Sequence, residues 1–217
     1  MVFRDRTDAG RQLAAKLKEV IDTSNAIVLA LPRGGVPVAF EVARALHVPL
    51  DIFLVRKLGV PGREELAMGA IASGGVRVIN DDVVRELGIP SRWIDIAAAD
   101  ESAELRRREL AYRDSRPAPD VRDKTVVLVD DGLATGATMR AAVAALRKME
   151  PDRIVVAVPV GAPDTCHELR AQADDIVCLK QPDPFYAVGS WYQDFEQTTD
   201  EEVRELLALG ASELITS

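Results

Sequence analysis

The sequence is poor in the residues that carry several common kinds of chemistry. Two cysteines in 217 residues, Cys166 and Cys178, are too few for a disulfide framework, and neither sits in a Cys-x-x-Cys pair. Two histidines, His47 and His167, complete no zinc constellation with them. Cys166-His167 are adjacent on an expected helix, where neighbours do not face each other, so they read as bystanders. No run approaches 18 apolar residues, so no membrane-spanning helix is expected. The first residues, Met1-Val2-Phe3-Arg4-Asp5-Arg6, have charge without an apolar segment behind them, unlike a secretory signal; a cytoplasmic protein is expected. Lys and Arg number 27 against 35 Asp and Glu, a net charge of −8, which argues against a nucleic-acid partner. Five of the ten aromatic residues crowd into one tail segment, Phe185, Tyr186, Trp191, Tyr192 and Phe195.

What is present is a globular α/β pattern, 47% hydrophobic and 29% charged. Leu13, Leu17, Val20 and Ile21 recur at helical spacing, predicting a helix over 8–21. The continuous apolar run 26–31 suits a strand buried on both faces of a parallel sheet. A helix over 36–46, ending at His47, and a strand over 50–56 follow. The Gly- and charge-rich stretch 57–65 reads as a loop, with Glu64 and Glu65 as solvated loop residues. Short strands near 69–72 and 76–79 form a hairpin through Ser73-Gly74-Gly75. A charged helix over 91–113 is broken by the segment 114–120. Then come a strand (125–129), a turn (132–138), a helix (139–149), a strand (153–160), a helix (164–173) and a strand (176–179). Alternating strands and helices indicate βαβ units: an α/β fold with a mostly parallel, doubly wound sheet. The chain is read as one domain, 1–217, with a small hood lobe around 181–217.

The chemistry concentrates in Val126-Val127-Leu128-Val129-Asp130-Asp131-Gly132-Leu133-Ala134-Thr135-Gly136-Ala137-Thr138. A buried strand ends in two carboxylates, and a loop of small and hydroxyl residues then opens a helix. Ligands of parallel sheets sit at the carboxyl ends of strands, and N–H groups at a helix N-terminus favour an anion. Leu133, Ala134, Thr135, Gly136, Ala137 and Thr138 therefore form a candidate phosphate loop. Two adjacent carboxylates repel unless a cation or hydroxyl donors satisfy them. There is no Gly-Lys-Ser/Thr, so this is not a Walker P-loop.

This segment closely resembles the motif that binds 5-phosphoribosyl-1-pyrophosphate (PRPP) in type I phosphoribosyltransferases. The resemblance implies that Asp130 and Asp131 act in catalysis and hold the ribose hydroxyls and Mg²⁺, directly or through hydroxyls or water, while residues 133–138 hold the 5-phosphate. Leu31-Pro32-Arg33-Gly34-Gly35 lies where the family keeps its pyrophosphate loop; Arg33-Gly34 resembles adenine phosphoribosyltransferases, and a non-proline cis peptide is expected at Pro32–Arg33. Arg56-Lys57 precedes the region of the family's mobile catalytic loop, making Lys57 a second pyrophosphate candidate. Pro182-Asp183-Pro184-Phe185 resembles the base-binding segment of hypoxanthine-guanine enzymes, with Phe185 stacking on the base; Trp191 and Phe195 read instead as packing residues. Ala134 stands where 6-oxopurine enzymes carry an acid, so the two halves of the site point to different nucleobases. The whole resembles a group of bacterial phosphoribosyltransferases whose nucleobase the sequence does not identify. The implied activity is that of a Mg²⁺-dependent glycosyltransferase (pentosyltransferase) moving phosphoribose from PRPP to a nucleobase with release of pyrophosphate. A PRPP-binding regulator without turnover is the alternative. The acceptor, the oligomeric state (a homodimer included) and membership of a longer fusion stay open at this point.

Overall fold

The computed structural model describes residues 2–113 and 116–215; the side chains of Glu64, Glu65, Leu214 and Ile215 lie outside the described set, as do Asp114 and Ser115 of the predicted breaker segment. Helix α1 (Arg6–Leu17) starts at Asp5, whose side chain accepts from the Asp8 N–H at 2.7 Å, an N-cap. Strand β1 (Ala26–Ala30), helix α2 (Gly35–Leu46) and strand β2 (Leu50–Ile52) follow, and α2 ends as expected at His47 in the left-handed region, φ 55°. After an excursion described below, β6 (Thr125–Val129), α5 (Ala137–Arg147), β7 (Arg153–Val160), α6 (Pro163–Leu169) and β8 (Asp175–Lys180) complete the α/β core.

Five strands form one all-parallel sheet in the order β2-β1-β6-β7-β8, with Leu29 level with Leu128. The apolar runs are continuous because both faces are covered. Val28, Ala30, Val127 and Val129 pack toward α1 and α2, whereas Ile27, Leu29, Val126 and Leu128 pack toward α5 and α6. The winding direction reverses between β1 and β6. The crevice at the carboxyl ends of these two neighbours is therefore where such a sheet binds its ligand.

The excursion between β2 and β6 corrects the sequence reading in part. The stretch expected to be a loop instead forms strands: β3 (Val55–Val60) and β4 (Arg63–Ala72) make an antiparallel hairpin, joined by β5 (Val76–Ile79) into a three-stranded sheet. The strand expected over 50–56 is accordingly split between β2 and β3. Gly59 and Lys57 suggested loop, but Leu58, Val60, Met68 and Ile71 are buried, and that burial holds the hairpin. Gly62, at φ 75°, makes its turn. The hairpin through Ser73–Gly75 forms as expected, and α4 (Ser91–Arg113) is the predicted charged helix. Helix α3 (Asp81–Glu86), capped by Asn80, was not anticipated.

Nor was α7 (Asp200–Ile215), although Thr199 Oγ1 accepts from the Glu202 N–H at 3.1 Å and three acids fill its first turn. It packs on α2 and α4. The nearly buried Arg113 fixes the end of α4 to β2, donating to Asp51 Oδ1 at 2.8 Å and to the Ile52 carbonyl at 2.8 Å. That tie brings the last turns of α4 over the carboxyl end of the sheet.

Candidate functional site

The crevice between β1 and β6 contains the acid pair, and the pair is not symmetric. Asp130 Oδ1 accepts the Asp131 N–H at 2.8 Å. Burial, then the neighbouring Asp131, push its carboxyl well above the usual carboxylate range. Burial also raises Asp131, against the opposing pull of Arg6. Arg6, the first residue of α1, donates to Asp131 Oδ2 from Nε at 2.8 Å, and its Nη2 lies 2.8 Å from the same oxygen. The Arg6 and Asp131 side chains are only 12% and 16% exposed.

Arg6 is in turn fixed from the tail. Its Nη1 donates to the Glu196 carbonyl at 2.6 Å, and its guanidinium lies 3.9 Å from the centroid of Phe195. Tyr192 Oη donates to the Asp131 carbonyl at 2.5 Å, and burial raises its hydroxyl pKa. Phe3, Tyr192 and Phe195 stack in series, with centroids 5.5 and 5.0 Å apart. The β1 side closes on the same acids: a Cβ on Gly34 would run into Asp131 Oδ2, and one on Gly35 would lie 2.8 Å from the Val129 carbonyl. Glycine at both positions lets the two loops touch. The Pro32–Arg33 bond is cis, as expected.

The predicted phosphate loop is built from consecutive residues. Leu133 extends β6 by a bridge to Gly161, with its N–H donating to the Val160 carbonyl at 2.9 Å. Thr165 Oγ1 donates to the Ala134 carbonyl at 2.7 Å, and Arg140 Nη2 donates to the Thr135 carbonyl at 2.6 Å. With its carbonyls tied back, the loop turns at Gly136 (φ 70°), where a Cβ would lie 2.5 Å from Thr165 Cγ2. The first bond of α5 runs from the Arg140 N–H to the Gly136 carbonyl, so Ala137 and Thr138 present N–H groups ahead of it. Ala134, Thr135, Ala137 and Thr138 are exposed. Such a rim suits an anion.

The structure thus brings Arg33, Gly34, Asp130, Asp131 and residues 133–138 to one crevice. Lys57 lies elsewhere, exposed on β3 in the smaller sheet, and Arg56 donates to Glu101 at 2.6 Å. Phe185 packs with Val188 and Trp191 against the cluster of Phe3 and Tyr192. Arg6 was missed by sequence reasoning. Its only local signal is the Asp5 cap before it, and nothing in residues 1–6 announces a partner 125 positions away. Cys166 and Cys178 also meet, both beside Gly161, where a Cβ would lie 2.7 and 3.3 Å from their sulfurs.

The fold and crevice define the protein as a parallel α/β domain with a strand-end acid pair, a helix-N-terminal loop and an arginine-bearing loop opposite. The chain belongs to the phosphoribosyl transferase domain family, whose model matches residues 4–194. It is 48% identical over 202 residues to the Mycobacterium tuberculosis protein named "Putative phosphoribosyl transferase Rv0571c". That match covers 93% of this chain and 45% of the relative, so the chain spans about half the length of that curated relative. Among solved structures, the crystal structure of TT1426 from Thermus thermophilus is similar, with 44% identity and a TM-score of 0.86 over 95% of this chain and 98% of that one. No helix among the described residues is long and apolar enough to cross a membrane.

Proposed function

We propose that the protein transfers phosphoribose from PRPP to a nitrogen acceptor of the nucleobase class, with Mg²⁺ and with release of pyrophosphate. The observation that carries this reading is the convergence, at the β1/β6 switch point, of the acid pair with the phosphate loop and the Arg33 loop. On this reading residues 133–138 hold the 5-phosphate at the positive end of α5. Asp130 and Asp131 accept hydrogen bonds from the ribose hydroxyls and carry the charge that favours a cationic sugar transition state. Arg33, on the Gly34-Gly35 loop, receives the leaving pyrophosphate, and Lys57 is a second contact if the β3–β4 hairpin folds over the site. The tail from 181 belongs to the same domain, with Phe185 as the base-stacking candidate.

The acid pair fits a divalent cation in a limited way. Two buried carboxylates are hard oxygen donors, but Arg6 already holds one oxygen of Asp131. Among the described residues no group of three or more metal-ligating side chains occurs. Asp130 and Asp131 would hold Mg²⁺ mainly through ribose hydroxyls and water, with PRPP completing its shell. When bound, the ion neutralises the leaving group. In the transfer, the bond from the anomeric carbon to the pyrophosphate oxygen breaks, a bond from that carbon to the acceptor nitrogen forms, and the proton of the acceptor N–H leaves with the products. The protein's work is to position both partners and exclude water. A screen of nucleobases for pyrophosphate release from PRPP and Mg²⁺ tests the reading. Tight PRPP binding with no release for any base would favour a PRPP-binding regulator instead.

A further inference from the structure

Beside the Arg33 loop lies a cavity of about 200 Å³, lined by Arg33, Arg107, Arg108, Ala111, Tyr112 and Asp200. It is built from three separate parts of the chain, the β1–α2 loop, the last turns of α4 and the first turn of α7. The Arg113 tie sets the distance between α4 and the sheet end, and Arg108 and Tyr112, four residues apart on α4, share the face turned toward it. One oxygen collects the donors. Asp200 Oδ1 accepts from Tyr112 Oη at 2.7 Å and lies 3.5 Å from Arg33 Nη1. Arg107 and Arg108 meanwhile share Glu104, donating to it at 2.7–2.9 Å. Three guanidinium groups thus face two carboxylates, an excess of one positive charge, and one of those carboxylates is 59% exposed at a helix start.

An oxygen anion held by a guanidinium and a phenol is the arrangement that a phosphoryl oxygen would occupy. We propose that Arg33, Arg107, Arg108 and Tyr112 form the seat of a diphosphate group, and that Asp200 is an internal competitor holding that seat until the ligand arrives. The inference rests on the PRPP reading and assigns that site two elements, α4 and α7, that lie outside both sequence motifs. On binding, the Asp200 side chain gives up Tyr112 and Arg33, and its charge is replaced by a more highly charged group facing all three arginines.

Calorimetric titration of the full chain with two separate probes tests this. Inorganic pyrophosphate reads the proposed seat, and ribose 5-phosphate reads the loop 133–138. Asp200→Asn is expected to tighten pyrophosphate severalfold by removing the competing charge, a direction that simple structural damage does not produce. Arg108→Gln is expected to weaken pyrophosphate about tenfold, the loss of one charge-assisted contact. Ribose 5-phosphate should bind both variants like the parent. Unchanged or weaker pyrophosphate binding in Asp200→Asn overturns the proposal, as does loss of both ligands together in Arg108→Gln. If the parent binds ribose 5-phosphate but not pyrophosphate, this inference fails alone. If it binds neither, the PRPP reading fails with it.

Discussion

The two sides of the crevice are made in different ways. The side carrying the proposed phosphate loop is one contiguous segment: β6, the acid pair, residues 132–136 and the start of α5. The opposite rim is assembled from residues 3–6, 33–35, the end of α4 and 192–200, with hydrogen bonds bridging 125 and 190 positions. The difference follows from the task. Presenting successive N–H groups needs consecutive residues and a helix start, so it is local. Neutralising a buried acid needs a charge of opposite sign from any direction, and tertiary structure supplies it.

Arg6→Gln breaks the assembled side most severely. It leaves Asp131 beside Asp130 with no guanidinium, and the Arg6–Asp131 ion pair that is lost is mostly buried, so we expect about 2 kcal/mol of stability lost at pH 7. Arg6 pulls the Asp131 carboxyl down; without it, that carboxyl titrates higher. The loss should therefore shrink as pH falls and Asp131 takes up a proton. Urea melts of parent and variant at pH 7 and pH 4.5 measure it, and an equal loss at both would mean that the charge pairing is immaterial.

Asp130→Asn with Asp131→Asn attacks the hinge between the two sides. Turnover should fall more than tenfold, about 1.4 kcal/mol of barrier, once an acceptor is known. Steady-state kinetics would show this in kcat, whereas a purely ground-state role would appear in KM. On the local side, Thr135→Ala removes one hydroxyl donor from the rim and should weaken PRPP severalfold, about 1 kcal/mol, with kcat nearly kept. A change confined to kcat would contradict the phosphate role.

An effect of similar size but opposite sign is expected at Asp130. Burial and Asp131 raise the Asp130 carboxyl above its ordinary value of 3.8, so in the pH window between that value and the raised one the folded chain holds a proton there that the unfolded chain has released. Stability then falls as pH rises from about 4 toward the raised value, and the deficit persists at neutral pH. Asp130→Asn alone should raise the melting temperature at pH 7 by a few degrees, about 1 kcal/mol, and should gain less at pH 4. Scanning calorimetry at both pH values checks it.

Legibility in the sequence follows the same division. The central core strands were readable because strands buried on both faces must be apolar along their length, as over 26–30 and 126–129, whereas the short β2, interrupted by Asp51, was run on into β3. Asp130, Asp131 and Thr135 could be singled out as candidates because strand, acids and loop are adjacent in the sequence. The β3–β4 hairpin was not. Gly59, Pro61 and Gly62 look the same in a loop and in a bulged hairpin, and only the burial of Leu58 and Met68 decides between them. Arg6, Arg108 and Asp200 were hidden for another reason: each sits among similar charges, and the contacts they make come from docking α1, α4 and α7 around one sheet end.

Backbone bonds also join the Phe3 N–H to the Trp191 carbonyl and the Gln193 N–H to the Phe3 carbonyl, both at 2.8 Å. This sets an order of events during synthesis. A chain emerging from the ribosome can pair β1 with β6 and form the phosphate loop well before residue 191 appears. Until then Arg6 has neither the Glu196 carbonyl nor the Phe195 ring, and Asp131 lacks the Tyr192 hydroxyl. A nascent chain would carry the anion loop early but would finish its acid site only when the aromatic tail clasped the first strand-like residues.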